Sequence, residues 1–184
     1  MSNDSLNDKG QVSSTLWRYC PQCASQSISV TEGKALQCGD CGFLYFHNVA
    51  AAAGVLIRCG DQFLFAERAK QPSLGMLDLP GGFVDADESL EQGLCRELHE
   101  ELGLALKPDA LTYLGSMHNR YLYAEVEYCT VDAIFSLTLA DKPNLVAKDD
   151  ISAFQWLTRQ QAASVRFAFP AVEQAVARWV LSAK

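Results

Sequence analysis

The sequence predicts an α/β protein, with strands covered by helices on both faces, preceded by a small module of its own. Three observations carry that reading. Two C-x2-C pairs stand near the start, an acidic stretch with helical spacing stands in the middle, and strand-like runs surround it before a second helical run at the end. At 184 residues, 49% hydrophobic and 20% charged, the chain has room for one ordinary core and a small appendage. The longest unbroken apolar run, Val49 to Ile57, is far shorter than the roughly 20 residues a membrane span requires, so no membrane partner is expected.

Residues 1–16 are polar and mixed in charge, without the basic start and apolar run of a signal peptide, and are expected to form a flexible tail on a cytoplasmic protein. Next come Cys20, Cys23, Cys38 and Cys41, two pairs with fourteen residues between them, which is the pattern of a four-thiolate zinc ribbon over residues 17–46. Four sulfurs about 2.3 Å from one tetrahedral zinc ion leave no open position, so the ion's role is structural. A segment this short buries too little apolar surface to fold alone, whereas structural zinc contributes on the order of 10 kcal/mol in finger peptides. Two disulfides would require an oxidising compartment, and a lone redox pair would leave the other pair unexplained. Between Arg18 and Asn48 only Arg18 and Lys34 oppose Glu32 and Asp40, and the whole chain carries a formal charge of −7, which argues against a nucleic-acid partner. Cys59, Cys95 and Cys129 are expected as free thiols.

Val49 to Cys59 and Gln62 to Glu67 then read as two strands joined at Gly60-Asp61. Pro80-Gly81-Gly82 precedes the acidic helix, where the missing Cβ atoms let backbone approach a metal or ligand closely. Asp85 with Glu88, or else Asp87, caps a helix bounded at residues 86–102, and Gly103 ends it in the left-handed conformation. Residues turn about 100° each around a helix, so Glu97, Glu100 and Glu101 share one side. Leu90, Leu94, Leu98 and Leu102 form an apolar stripe whose edge takes in Glu101, while Gln92, Arg96 and His99 fall on the far side. Carboxylates at these spacings repel one another and lose solvation beside apolar neighbours, so they call for cations. Oxygen-only donors select hard ions, magnesium first and manganese second, and magnesium characteristically bridges the phosphate oxygens of a substrate. Leu111 to His118, Tyr121 to Tyr128, Thr130 to Leu139 and Ser152 to Thr158 follow as β-rich runs, and Pro170 to Leu181 has helical spacing.

From Gly82 to Leu104 the residues fit G-x5-E-x7-R-E-U-x-E-E-x-G-U, with U apolar. This pattern resembles the signature of the Nudix hydrolases, and the resemblance assigns residues 47–184 to such a domain. It implies an α/β/α sandwich around a mixed sheet, and hydrolysis of a nucleoside diphosphate linked to another group by attack of a metal-bound water at phosphorus. Carried over by position, Glu97, Glu100 and Glu101 hold Mg2+ or Mn2+ with the Gly82 carbonyl nearby, Glu88 is an auxiliary ligand, and Arg96 orients the glutamates through ion pairs. An acid outside the box often serves as base in this family. Asp150 stands where such an acid sits, and Asp149, Glu125 and Glu127 are the alternatives.

Phe43, Tyr45, Phe46, Tyr121 and Tyr123 are candidate base stackers, Tyr121 and Tyr123 foremost, and Arg68 and Lys70 are placed to reach a phosphate. The S-Q-P-W array of the NADH pyrophosphatases is missing, which makes the chain more similar to the ribbon-bearing group acting on ADP-ribose, FAD or related dinucleotides. Two other functions compete with this one. A nucleotide-pool enzyme cleaving oxidised triphosphates would release pyrophosphate, and a non-catalytic nucleotide sensor would tolerate a broken box, whereas this one is intact. Ribbon-bearing relatives are commonly dimers, so the resemblance also carries the expectation of a homodimer.

Overall fold

The computed structural model describes residues 17–123 and 126–182. The tail expected over residues 1–16 and the alternative acid Glu125 lie outside the described residues, as do the side chains of Tyr123 and Glu127. Two compact units divide the chain. One comprises the residues up to Val49 together with Arg120–Cys129, the other Ala50–Asn119 together with Thr130–Lys184.

In the first unit, strands β1 (Ile28–Thr31), β2 (Ala35–Cys38) and β3 (Leu44–Phe46) form an antiparallel sheet in that order. Glu32 (φ 53°) and Gly33 (φ 68°) turn β1 into β2, and both positive φ angles match the right-handed twist of a tight hairpin. Its small core is Cys20, Ala35, Leu36 and Cys38. Trp17 lies over Phe43 and Tyr45, with ring centroids 6.0 and 4.7 Å away.

The second unit is built on β4 (Ala50–Cys59), which turns at Gly60 into the antiparallel β5 (Gln62–Arg68). Short strands β6 (Leu77–Asp78) and β7 (Gly81–Phe83) add to β5 and β4, and helix α1 (Leu90–Leu102) follows. Strands β8 (Thr112–Tyr123), β9 (Val126–Leu139) and β10 (Ile151–Thr158) complete a seven-stranded sheet whose main path is β10-β5-β4-β9-β8. The β4–β9 pair is parallel and the β4–β5 and β5–β10 pairs are antiparallel, so the sheet is mixed.

Side chains alternate across a strand, and β4 therefore serves two cores. Val55 and Ile57 pack with Leu64, Phe135 and the Leu94-Leu98-Leu102 stripe of α1 on one face. Leu56 packs with Phe63, Phe65 and Ile134 on the other, beneath Val172, Ala175, Val176 and Val180 of the C-terminal helical segment. Each such apolar side chain contributes roughly 1.5–3 kcal/mol by leaving water. A helix on each face of a mixed sheet is the sandwich that the resemblance implies.

Three boundaries differ from expectation. Helix α1 starts at Leu90 rather than residue 86, because Ser89 and Gln92 form the reciprocal capping box. Asp85 and Glu88 still meet, the Asp85 N–H donating to Glu88 Oε2 over 3.1 Å, but as a turn ahead of the helix. The three runs from Leu111 to Leu139 form two long strands, the second beginning inside the run Tyr121 to Tyr128. Pro170 to Leu181 is helical as expected but begins as α3 (Pro170–Ala175) and widens to π geometry over Val176–Leu181. A short α2 (Arg159–Ala162) follows β10. Among the described residues no helix is long and apolar enough to cross a membrane.

Candidate active site

Backbone without side chains brings α1 against β7. Gly81 pairs with Gly54 of β4 at φ 134°, and a Cβ there would stand 2.1 Å from the Ala53 carbonyl oxygen. At Gly82 a Cβ would meet Glu97 Cδ at 2.6 Å. Gly81 is therefore required by the protein's own strand, and any Cβ at Gly82 would displace the Glu97 carboxylate. The Glu97 carboxylate rests on Gly82, and Glu101 Oε2, on the next turn of α1, accepts the Gly81 N–H over 3.0 Å.

Glu101 is only 5% exposed, and burial pushes its carboxyl up to about 8. The Gly81 N–H opposes that shift, while the carboxylates of Glu97, Asp78 and Asp150 reinforce it. Burial likewise raises Glu97, against Arg96 and with Glu100 and Asp149. Glu101 and Glu97, raised by burial and seated on bare backbone, offer the hard oxygen atoms that a divalent cation of oxygen preference takes.

Arg96 lies differently from the far-side position that the helical projection gives it. Its Nε and Nη2 donate to the two oxygens of Glu88 over 2.8 and 2.9 Å, and Nη1 donates to Glu97 at 2.8 Å and Glu100 at 3.2 Å. Nη2 also reaches the Phe83 carbonyl at 3.0 Å. The guanidinium thus ties the loop before α1 to two successive turns of the helix. These pairs hold Glu88 below the usual carboxylate range and raise Arg96 further, Glu88 being the largest contributor.

A second acidic arm comes from the segment before β10. The Lys148 N–H donates to the Glu101 carbonyl over 2.9 Å, and the Asp150 carbonyl accepts the Ala69 N–H over 2.8 Å. Asp149 between them has φ 53°. The Lys70 ammonium pairs with Asp150 and, at 3.5 Å, with Asp149. Asp150, proposed from position alone, is therefore beside the glutamates but engaged by a lysine.

Asp78 was not singled out by its sequence. It sits beside Glu101, raised by burial and paired at 3.0 Å with Arg68. Its one available signal is a lone acid between Leu77 and Leu79. Arg68, expected near a phosphate, directs Nε to the Pro72 carbonyl at 2.7 Å and lies 5.0 Å from the Phe169 ring centroid, so its charged head is taken up by the fold. Tyr121 and Leu122 belong to the first unit, where Tyr121 is half-buried.

In the first unit, Cys20, Cys23, Cys38 and Cys41 bring all four sulfurs within 4.8 Å of one another. Among the described residues no group of three or more glutamates or aspartates closes to that spacing. Sulfur pairs Cys20–Cys41 and Cys23–Cys38 are 3.7 and 3.6 Å apart, close to the about 3.8 Å edge of a tetrahedron with 2.3 Å zinc–sulfur bonds. The two knuckles repeat one backbone pattern. Ala24 and Gly42 donate to the Cys20 and Cys38 carbonyls at 2.8 and 3.0 Å, and Cys20 and Cys38 donate to Ser25 and Phe43 at 2.8 and 2.9 Å. Backbone N–H groups of Cys41 and Asp40 lower the Cys38 thiol to about 6, while hydrogen bonds from the neighbouring sulfurs push Cys23 and Cys41 up against the backbone of Ser25 and Phe43, so the four thiols share their protons unequally.

Comparison with known proteins places this geometry. A family model described as the NUDIX domain matches residues 47–180. The NAD-capped RNA hydrolase NudC of Vibrio parahaemolyticus is 34% identical over 99 residues, covering 54% of this chain and 37% of that protein. NudC of Pseudomonas aeruginosa strain LESB58 is 27% identical over 146 residues, covering 77% and 48%. The chain thus spans less than half the length of either curated relative. A NUDIX hydrolase from Nitrosomonas europaea superposes with a TM-score of 0.69 at 21% identity, over 89% of this chain and 90% of that one. The NUDIX domain of Shewanella oneidensis NrtR, complexed with ADP ribose, gives 0.59 at 24% identity over 72% and 90%. At these identities the structures speak for the fold alone.

Proposed function

This chain belongs to the Nudix family, and from that premise we propose that it hydrolyses the diphosphate bond of a nucleoside diphosphate linked to a second moiety, with ADP-ribose, FAD and NAD-type dinucleotides as the substrate class. The observation that carries the reading is the seating of Glu97 and Glu101 on Gly82 and Gly81, two ionisable groups held partly out of water by the fold itself. Glu97, Glu100 and Glu101, with the Gly82 carbonyl, would hold Mg2+ or Mn2+, and Glu88 acts through Arg96. When bound, the divalent ions neutralise the diphosphate and make water acidic enough to attack phosphorus near neutral pH.

The chain's own residues supply orientation and proton handling. Arg96 fixes the spacing of Glu97 and Glu100, Gly81 fixes Glu101 by its N–H, and the Asp149–Asp150 pair provides the acid outside the box. In the first unit, Zn2+ on the four cysteines has a structural role, and a homodimer is proposed on the family resemblance alone.

The names of the curated relatives favour an NAD-type end on the substrate, while the missing S-Q-P-W array favours ADP-ribose or FAD. A product assay with magnesium across ADP-ribose, NADH, FAD, diadenosine polyphosphates and 8-oxo-dGTP separates them. A nucleoside monophosphate beside a phosphorylated second moiety supports the proposal. Fastest turnover of the triphosphate, releasing pyrophosphate, would replace it with the nucleotide-pool reading.

A further inference from the structure

Lys70, expected from the sequence near a phosphate, is instead paired with the acidic arm. It lies just after β5, and its ammonium reaches both Asp149 and Asp150. The arm that carries those two carboxylates is tied to helix α1 itself, the Lys148 N–H donating to the Glu101 carbonyl over 2.9 Å. Glu97, Glu100 and Glu101 on α1 and Asp149 and Asp150 on the arm tied to it are thus balanced, among the described ion pairs, by Arg96 on the glutamate side and Lys70 on the aspartate side.

The loop does not need Lys70 to hold its place. Lys148 is pinned to the Glu101 carbonyl, Asp150 to the Ala69 N–H, and the Ile151 N–H closes back on the Lys148 carbonyl at 3.2 Å. The lysine is 60% exposed, so its contribution is charge rather than packing. An exposed positive charge beside carboxylates lowers the pull of those carboxylates on any other cation, and does so through a field that salt screens.

We infer that Lys70 is a positioning residue of a second kind, an internal counter-ion that neutralises the Asp149–Asp150 arm in the metal-free protein and sets the divalent-ion concentration at which the glutamate site fills. The inference rests on the proposed metal site at Glu97 and Glu101. It goes beyond that site in assigning its ionic threshold to a residue outside the family box. Replacing Lys70 removes a competitor without releasing the loop, so affinity for the ion rises.

The test is Mn2+ binding to zinc-loaded protein, read as free Mn2+ by electron paramagnetic resonance, at low salt and again at about 1 M KCl. Lys70→Gln is expected to tighten Mn2+ binding about threefold, the size an exposed ion pair can deliver. Lys70→Arg should bind as the wild type does. The gain should collapse at high salt, and also when Asp149→Asn and Asp150→Asn are added to Lys70→Gln. Unchanged or weaker binding in Lys70→Gln, or equal tightening in Lys70→Arg, overturns the inference while leaving the metal site standing. Wild-type protein that binds no Mn2+, or a Glu97→Gln/Glu101→Gln variant that binds as well as wild type, overturns the site itself and the inference with it. Circular dichroism of each variant confirms that an exposed substitution has left the fold intact.

Discussion

Glu101 concentrates the opposing forces of this molecule in one carboxyl group. Its folded-state value of about 8 exceeds the ordinary 4.5, so the stability it confers is present in full below about pH 4.5 and is lost as the pH rises through about 8. Thermal melts of zinc-loaded protein without Mg2+ or Mn2+ should therefore show a midpoint that falls across this window. Glu101→Gln should flatten that fall, and a wild-type profile already flat there would show that the group is not held as described. The same variant should lose roughly 10²-fold or more in turnover while its circular dichroism is unchanged. Gly82→Ala tests the neighbouring contact. A Cβ 2.6 Å from Glu97 Cδ must move the carboxylate, and Mn2+ binding should weaken about tenfold, in the range seen when groups supporting metal ligands are disturbed.

Elements were legible where their signals are local. The glutamate spacing put three carboxylates on one side of α1 because helical geometry leaves no choice, and Gly103 ended the helix at φ 69° as its position requires. The start was misplaced because Asp85, Asp87 and Ser89 are all competent caps, and Asp85 with Glu88 offers the same reciprocal pairing as Ser89 with Gln92, one turn earlier. The projection set Arg96 apart from the carboxylates because it treats side chains as points, whereas a guanidinium on a long stem reaches Glu88 in the preceding loop. The division between β8 and β9 fell inside Tyr121 to Tyr128, where no glycine or proline marks a turn. Lys70's two aspartates were illegible for another reason: they lie about eighty residues away in sequence. In the ribbon, the knuckles use a left-handed residue after each second cysteine, Gly42 at φ 75° but Ala24 at φ 59°. Ala24→Gly should stabilise the zinc-loaded protein by roughly 1 kcal/mol, measured as a shift in the ribbon's unfolding midpoint; a loss of stability there would contradict the symmetry of the two knuckles.

At the scale of the whole molecule, one chain carries two unlike sets of donor atoms, the sulfurs of four cysteines in the first unit and carboxylate oxygens in the second, and the proposed ions differ accordingly. A strong zinc chelator should expose four additional thiols to a colorimetric thiol reagent, out of seven cysteines in the sequence, while leaving the α1 glutamates able to take up Mn2+. Fewer than four newly reactive thiols would mean that the cysteines do not share one ion. The first unit is also assembled from two distant stretches of chain, the residues up to Val49 and Arg120–Cys129. It cannot be excised at a single peptide bond. A shortened protein starting at residue 47 would keep the entire family match yet leave the outer ends of two long strands without the companions they have here, so its behaviour would report on an amputated molecule, and dissecting the two chemistries calls for point substitutions at the cysteines instead.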